Sequence, residues 1–446
     1  MREPSVRAAT VPAAPQQSDR TPAGRWDLLL ACVALYLATA VGRVHELFPA
    51  LLPLKPTLVS ALLAVALYLL QQTGARRFTR LRGATTTCVL GLLLWVALAV
   101  PGALSPGIAF RYLTDYFIKT VVMYAVIAGC VRSVRDVERL VLAYFAATVI
   151  YGAVVLMRFQ LGAGDDWRLG HLYNYDANDF ATLIATAMPL GLYFVLGDRR
   201  PLVRGLAAAG LVVLAIGEIR SGSRGGFLAL LAVAAFVLFR FTTIPARSRV
   251  AGLAVILAVV FVTASDRYWE QMQTVLNPHE DYNATSETGR VKIWERGIGY
   301  IEANPVLGLG AGNFPVAEGT ISPMAGRQEY SHGVRWGAAH NSFVQIGAEL
   351  GLPGLLLFLG MLTTALAGLA RVARTALVAG RSAIRVSRLA QSLTAALVGF
   401  VVGGFFLSLG YSDMLYTLVA LAVGLRKVAT AGIAHPAPVA RPAWRS

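Results

Sequence analysis

The stretch HNSFVQIGAELGLPGLLLFL, from His340 to Leu359, begins with a histidine and two polar residues and continues as an apolar run to about residue 370. A helix needs about 20 apolar residues to cross the hydrocarbon core of a bilayer, and this run is long enough. Pro353 is expected to kink the helix, because proline lacks the backbone N–H and its ring clashes with the preceding turn. The stretch therefore predicts a membrane-spanning helix that begins beside an ionisable imidazole at the water boundary.

Similar apolar runs follow one another along most of the chain. Of the 446 residues, 56% are hydrophobic and only 14% are charged, whereas soluble domains carry about 25% charged residues. We therefore predict an all-α integral membrane protein with about twelve transmembrane helices. The runs lie near residues 26–42, 56–71, 85–104, 112–131, 137–158, 177–197, 202–219, 225–241, 249–264, 341–370, 389–409 and 412–427.

The net charge of +16 is distributed in short basic clusters between apolar runs. Cytoplasmic loops of membrane proteins have this pattern, so the charge indicates topology and no nucleic acid is expected as a partner. Three cysteines inside or beside apolar runs provide neither a disulfide framework nor a metal-binding spacing. Clusters expected on the cytoplasmic side are ARRFTRLR (75–82), RSVRDVER (132–139), GDRRPLVR (197–204), RFTTIPARSR (240–249) and RVARTALVAGRSAIRVSR (371–388).

One long connection, on the opposite side from these clusters, separates the predicted helices 9 and 10. Loops of this length are usually functional or independently folded. Its segment TSETGRVKIWERGIGYIEANP (285–305) predicts an amphipathic helix that Ser286 or Thr288 can cap. Its predicted apolar face consists of Val291, Trp294, Ile298 and Ile301. The sequence therefore predicts this organisation: a disordered cytoplasmic tail (1–25), helices 1–9 (26–264), a periplasmic loop (265–340), helices 10–12 (341–428) and a cytoplasmic tail (429–446).

The turn EIRSGSRGG, from Glu218 to Gly226, places Arg220 and Arg224 on the side where basic residues are otherwise scarce. Guanidinium groups bind phosphate oxygens bidentately, and the glycines are expected to leave backbone N–H groups open toward an anion. An anionic substrate head group is the preferred interpretation. The alternative is a pair of interfacial arginines that contact lipid phosphates.

Arg290 is the first basic residue of the amphipathic helix. A cation at a helix N-terminus, beside free backbone donors, suits a phosphate ligand; the alternative is a solvated helix face. Asp176 and Asp179 in HLYNYDANDFA (171–181) precede and begin another helix. Two carboxylates three residues apart are compatible with a divalent metal, but capping of the helix is the simpler explanation, and no metal is expected.

His340 precedes Asn341 and Ser342 at the start of the tenth apolar run. A helix N-terminus lowers the pKa of a histidine and so keeps the imidazole neutral. A neutral imidazole at the membrane surface is a usable general base. The alternative is a buried structural histidine. His332, in EYSHG, is expected to be more exposed and less constrained.

The motifs together resemble those of the O-antigen ligases, within the O-antigen ligase and polymerase superfamily. They are SRGG (Ser223 to Gly226), TGRVKIWERGIGYIEANPVLGLGAGNF in the long loop, and HNSFVQIGAELGLPGLLLFL. The resemblance covers roughly residues 170 to 425. It implies transfer of O-antigen from undecaprenyl pyrophosphate to lipid A-core oligosaccharide on the periplasmic face of the bacterial inner membrane. It assigns Arg224, Arg290 and His340 to the site, and proximity adds Arg220.

The implied chemistry accounts for these residue types. Sugar C1 already carries a good leaving group, so the reaction needs deprotonation of the acceptor hydroxyl and stabilisation of charge on the pyrophosphate. His340 would take the proton and the arginines would stabilise the negative charge. One-step attack would invert the anomeric centre, with no metal and no cofactor. Membrane lipids and a lateral groove would surround the polyprenyl tail.

Three other functions share parts of this pattern. An O-antigen polymerase or a protein O-glycan ligase of the same superfamily would use the same donor and the same residue types. A twelve-helix transporter would show inverted repeats and polar residues at mid-membrane. Only Lys119 and Glu349 fall in such positions, where they would pair or form a cation path.

Overall fold

A computed structural model describes residues 26–73, 76–158, 169, 175–197, 200–277, 285–287, 289–325, 337–379 and 383–434. These residues form helices and turns, without a β-strand among them. His332, Thr288, residues 1–25 and residues 435–446 lie outside the described residues. The class predicted from the sequence, an all-α integral membrane protein, is confirmed.

Each predicted apolar run contains a helix, although the runs 85–104 and 389–409 extend beyond the helix ends at Ala99 and Gly404. Eight helices are long and apolar enough to cross a membrane in the described part of the chain, and Leu28–Val41 and Ala84–Ala99 are apolar but shorter, so the count of twelve spans stays a prediction. The helices are α1 (Leu28–Tyr36), α2 (Pro56–Leu70), α3 (Ala84–Ala99), α4 (Pro106–Tyr112), α5 (Ile118–Cys130), α6 (Val134–Arg158), α7 (Ala177–Gly197), α8 (Pro201–Ser221), α9 (Arg224–Arg240), α10 (Ala246–Thr263), α11 (Asp266–Gln273), α12 (Arg290–Ala303), α13 (Phe314–Thr320), α14 (Ser342–Val378), α15 (Ile384–Gly404) and α16 (Asp413–Ala434).

Helices α7 and α15 form the centre of the bundle and pack closely against each other. Small residues make this approach possible, as in other membrane helix pairs. A Cβ atom on Gly403 would lie 2.6 Å from Thr182 Oγ1, and one on Gly399 would lie 3.1 Å from the backbone oxygen of Ala185. In contrast, α10 buries none of its residues and packs mainly against α8 and α9, which leaves most of its apolar surface for lipid.

The connections of the bundle meet at two ends. At one end, here called the basic end, Asp27 pairs with Arg76 and Arg132, the latter at 2.9 Å between Nη1 and Oδ2. Arg385 pairs with Glu138 at this end at 2.9 Å. The other end, here called the loop end, carries α11, α12 and α13. Every candidate site residue that the structure describes lies at the loop end.

The kink predicted from Pro353 occurs two residues earlier, at Gly351, which has φ 67° and ψ −171° inside α14. Because Pro353 has no N–H, the oxygen of Glu349 accepts instead from Gly310 N at 2.8 Å. The broken turn also takes bonds from Leu309 N to Ala348 O, from Leu352 N to Pro305 O and from Trp95 Nε1 to Leu350 O, all at 2.8 Å. The backbone oxygens of this broken turn therefore accept hydrogen bonds from other parts of the protein, as irregular backbone inside a membrane requires.

Gly351→Ala is expected to destabilise the protein. The positive φ disfavours a residue with a side chain by about 1–3 kcal/mol, and the added Cβ would lie 2.3 Å from the oxygen of Val306. The midpoint of thermal unfolding of the purified protein should fall. Gly252→Ala in α10 is the matched control, because nothing lies within 4 Å of its Cβ position. Equal midpoints for the two variants would contradict this account of the break.

Candidate active site

The centre of the loop end is the connection between α15 and α16, residues 405–412, here called the 405–412 loop. The sequence predicted a helix as far as residue 409, but α15 ends at Gly404. Because the residues of this turn, FFLSLGY, are mostly apolar, hydropathy does not distinguish the turn from the end of the helix. Ser408 and Tyr411 in this loop were missed as site residues, because a serine or tyrosine in an apolar run carries no distinct sequence signal.

His340 is held in place through its backbone. Its N–H donates to Ser408 Oγ at 2.9 Å, and its φ of 47° is in the left-handed region, which costs a non-glycine residue about 1–2 kcal/mol. Asn341 caps α14, with its side chain accepting from Phe343 N and Val344 N. Ser342 Oγ donates to Leu407 O at 2.7 Å. The 405–412 loop and the start of α14 thus fix the orientation of His340.

Helix α12, the predicted amphipathic helix, packs against the start of α14. Trp294 Nε1 donates to Ala339 O at 3.1 Å, next to His340. The predicted apolar face is wrong in part: Val291 and Ile298 are exposed, and the buried positions include Gly297. A Cβ on Gly297 would lie 2.3 Å from Val344 Cγ1. The contact face is centred on a glycine, which has no hydrophobic signal, so periodicity alone misplaced it.

A buried ion pair that the sequence did not reveal attaches α12 to α13. Arg296 Nη2 lies 2.6 Å from Glu318 Oε2, and Tyr300 Oη donates to Glu318 Oε1 at 2.8 Å. The residue before α12 is Gly289, which has no side chain to cap the helix, and Thr288, one of the two predicted caps, lies outside the described residues. The helix is positioned by these tertiary contacts, and they hold its first residue, Arg290, at the loop end.

Arg290 and Asp176 act electrostatically on His340. Burial lowers the pKa of His340 below its ordinary value, the positive charge of Arg290 lowers it further, and the carboxylate of Asp176 opposes the shift. The direction agrees with the sequence argument, whereas the main cause is burial. The effect favours a neutral imidazole and indicates that Arg290 and Asp176 lie close enough to His340 to act on its charge.

Asp176 is the cap of α7, as the simpler explanation held. Its Oδ1 accepts from Asn178 N at 2.7 Å and from Asp179 N at 2.8 Å, and Asp179 Oδ2 accepts from Asp176 N at 3.3 Å. The two carboxylates therefore accept hydrogen bonds from backbone N–H groups at the start of the helix. In the part of the chain that the structure describes, no three His, Cys, Asp or Glu side chains cluster as a metal site would require.

Asp176→Asn separates the charge of Asp176 from its capping role, because asparagine caps a helix equally well. Removal of the carboxylate should lower the pKa of His340, since that carboxylate raises it. If neutral His340 is required for activity, the acidic limb of the pH–rate profile should move to lower pH. The thermal midpoint should not change. A limb that stays in place, or moves to higher pH, would contradict the coupling.

The SRGG turn connects α8 and α9. Gly222, with φ 56°, ends α8, and Ser223 Oγ accepts from Gly226 N at 3.1 Å. The expectation of open N–H groups is therefore wrong for Gly226. The glycines instead allow close packing, since a Cβ on Gly225 would lie 3.0 Å from Phe406 Cβ in the 405–412 loop.

The two arginines of this turn have different surroundings. Arg224 Nη1 donates to Thr274 Oγ1 at 2.6 Å, just after α11. Arg220 lies at one end of a groove of about 410 Å³ between α8 and α10, which is otherwise lined by Ile216, Ile219, Val262 and Thr263. An apolar groove with a guanidinium at its end has the chemistry to bind a lipid that carries an anionic head group.

The predicted pairing of Lys119 with Glu349 is wrong. Lys119 is exposed on α5, whereas Glu349 is buried and its Oε1 accepts from Phe314 N at 3.2 Å. The carboxylate holds the 304–314 segment against the break in α14. Glu349 therefore has a structural role, because it helps to position α12 and α13.

Comparison with known protein families finds a model that matches part of the chain. The family model described as O-antigen ligase matches residues 209–359, from the middle of α8 to the middle of α14, a narrower range than the resemblance noted above. No curated protein matches the chain. The match includes Arg220, Arg224, Arg290 and His340. Over these residues the chain is similar to the O-antigen ligase family, and its apolar helices indicate a multi-pass membrane protein.

Proposed function

We propose that this protein transfers a glycan from undecaprenyl pyrophosphate to a sugar hydroxyl of lipid A core, on the periplasmic face of the bacterial inner membrane. The observation that carries the proposal is a histidine with a fixed backbone conformation, at the loop end, that is subject to the positive charge of Arg290. A base for an alcohol and a cation for a phosphate are what this transfer needs. The family match favours a transferase over a transporter.

His340 is the proposed general base. The acceptor hydroxyl gives its proton to the imidazole as its oxygen attacks the anomeric carbon, the bond from that carbon to the pyrophosphate oxygen breaks, and the configuration inverts. The imidazolium then releases the proton to water. A base contributes about 10²–10⁴-fold when its pKa suits the working pH, and burial and Arg290 both lower the pKa of His340, which favours the neutral form before the step.

Arg290, Arg224 and Arg220 are the proposed ligands of the pyrophosphate. Guanidinium groups bind phosphate oxygens in a bidentate manner and stabilise the charge that develops on the leaving group. The groove beside Arg220 would hold the first units of the polyprenyl tail, because its other lining is almost entirely apolar. In this arrangement Arg220 contacts the pyrophosphate nearest the membrane, and Arg224, bonded to Thr274, contacts it from the α11 side.

Bound donor should also strengthen the base. The positive charge of Arg290 lowers the pKa of His340, and a pyrophosphate beside Arg290 would neutralise that charge. His340 would then gain basicity when the donor arrives. The acidic limb of kcat should therefore lie at higher pH than the limb measured for the free enzyme through kcat/KM.

A transfer assay with two acceptors tests the proposal. Purified protein in lipid nanodiscs receives labelled glycan on undecaprenyl pyrophosphate together with lipid A core, and in parallel with the lipid-linked glycan alone. The proposal expects label on lipid A core. Elongated polyprenyl-linked chains would identify a polymerase instead, and label on added protein would identify a protein O-glycan ligase. Each of these two results would overturn the proposed acceptor.

A further inference from the structure

A polar cavity of about 130 Å³ lies at the loop end, beside His340. Its walls come from the π-helical turn Leu37–Val41 after α1, the π-helical turn Leu113–Phe117 between α4 and α5, the start of α7 and the 405–412 loop. Ser408 lines the cavity and also accepts the N–H of His340 at 2.9 Å. One residue therefore separates the cavity from the proposed base. We name it the Arg43 cavity after the cation in its wall.

The cation in the wall already has its own partners. Arg43 Nη1 lies 2.9 Å from Glu46 Oε1, and the guanidinium lies 4.7 Å from the centre of the Tyr175 ring. Glu46 is buried. Arg43 has φ 47°, a strained backbone conformation that proteins retain chiefly where surrounding structure holds it, often at functional sites. The pair with Glu46 offsets part of the positive charge of Arg43, which also acts on the carboxyl groups of Asp179 and Asp413.

Two carboxylates make the cavity rich in hydrogen-bond acceptors. Asp413 Oδ1 accepts from Thr120 Oγ1 at 2.8 Å and from Tyr36 Oη at 3.2 Å. Within the described part of the chain no hydrogen bond reaches Asp413 Oδ2 or Asp179 Oδ1, so each carboxylate retains an oxygen for a ligand donor. A ligand that offers several hydroxyl groups would suit these oxygens.

Aromatic rings supply the apolar part of the wall. Tyr112 and Tyr116 stack with ring centres 5.6 Å apart, and Tyr411 meets Tyr112 edge to face at 5.1 Å. Ligand pockets combine such rings with a few convergent polar groups. A cavity of about 150 Å³ holds a six-membered ring such as benzene, so the Arg43 cavity, at about 130 Å³, is comparable in size to the ring of one sugar.

We propose that the Arg43 cavity is a subsite for one acceptor sugar and that it selects an uncharged or amino sugar over an acidic one. Rings would contact the C–H faces of the sugar, and the carboxylates of Asp179 and Asp413 would accept from its hydroxyl or ammonium groups. A uronate or a phosphorylated sugar would face these two carboxylates while Arg43 pairs with Glu46. This inference rests on the proposed transfer to a sugar hydroxyl.

The 405–412 loop explains why the acceptor, rather than the donor, belongs in this cavity. Phe406 in this loop packs against Gly225 of the SRGG turn, whereas Ser408 faces the cavity and His340. The pyrophosphate side and the cavity side thus use different residues of one loop. His340 lies between them, where a base must take the acceptor proton.

Binding of simple glycosides to the full-length protein in nanodiscs tests the subsite without any transfer. Saturation-transfer NMR would compare methyl glucoside, methyl glucosaminide and methyl glucuronide, each competing with the others. We expect the glucuronide to bind on the order of tenfold more weakly, since it brings like charges together. Equal binding of all three, or no binding, would overturn the proposal, and neither result needs a variant.

Variants test whether the glycosides bind in the Arg43 cavity. Asp179→Asn with Asp413→Asn should reduce the discrimination against the glucuronide, because asparagine retains an acceptor oxygen but has no charge. Asp115→Asn is the matched control, an exposed aspartate in the same π-helical turn as Tyr116, and should leave the preference unchanged. A preference that persists in the double variant, or is lost in the control, would overturn this location.

The two proposals can fail separately. If glycosides bind with the expected preference while lipid A core receives no label, the subsite is correct and the proposed acceptor is wrong. If lipid A core is labelled but acidic and neutral terminal sugars react equally well, the transfer is correct and the subsite is overturned.

Discussion

Replacement of His340 by glycine is expected to reduce kcat for glycan transfer by about 10²–10⁴-fold while the protein remains folded. Glycine suits this position because the backbone has φ 47° there, and the N–H that donates to Ser408 is retained. Loss of the imidazole then removes the proposed base without disturbing the start of α14. Initial rates with saturating donor and acceptor, together with the thermal midpoint, separate the two effects.

Added imidazole distinguishes a base from a structural histidine. The His340→Gly cavity should admit free imidazole and recover part of the lost rate, with a dependence on the neutral form of the added base. His340→Ala should lose the same activity with lower stability, because alanine is strained at a positive φ. Full activity in either variant would refute the general-base role. Lost activity that imidazole fails to restore in a folded His340→Gly protein would weaken it.

Arg290→Ala is expected to lower kcat/KM for the lipid-linked donor by about 10²–10³-fold, the effect typical of removing one preorganised charge-stabilising donor. Arg290→Lys should recover only part of this loss, because an ammonium cannot bind phosphate in the bidentate manner of guanidinium. Lys292→Ala is the matched control on the same helix. Lys292 pairs with Glu295 at the surface, and such pairs contribute little.

The same variant also has a distinct effect on pH dependence. Because Arg290 lowers the pKa of His340, its removal should raise that pKa and move the acidic limb to higher pH, opposite to the shift expected for Asp176→Asn. A purely structural role of Arg290 would not produce opposite shifts. Unchanged donor kinetics in Arg290→Ala would exclude it from the pyrophosphate site.

Some of this architecture is readable from local sequence because it depends on chemistry along a single helix. Apolar length predicts each helix of the bundle, Pro353 predicts a break in α14, and Asp176 before α7 predicts a cap. The long loop and its arginines stand out by composition. The fold class follows from such features, since bilayer thickness and backbone bonding constrain every segment separately.

Other features of the structure depend on contacts between segments that are distant in the sequence. The exact break at Gly351 depends on the 304–314 segment, and the contact face of α12 depends on Gly297 meeting Val344. The Arg43 cavity brings together Asp179 and Asp413, which are far apart in the sequence.

Sequence by itself determined that this is an all-α membrane protein with basic clusters and one long loop, because burial in a bilayer acts on each helix independently. Only the tertiary structure decided how His340 is held, that Arg224 bonds to Thr274, and that a polar cavity lies next to His340. The physical reason is that a binding site depends on distances between side chains far apart in the chain. Periodicity along one segment carries no information about those distances.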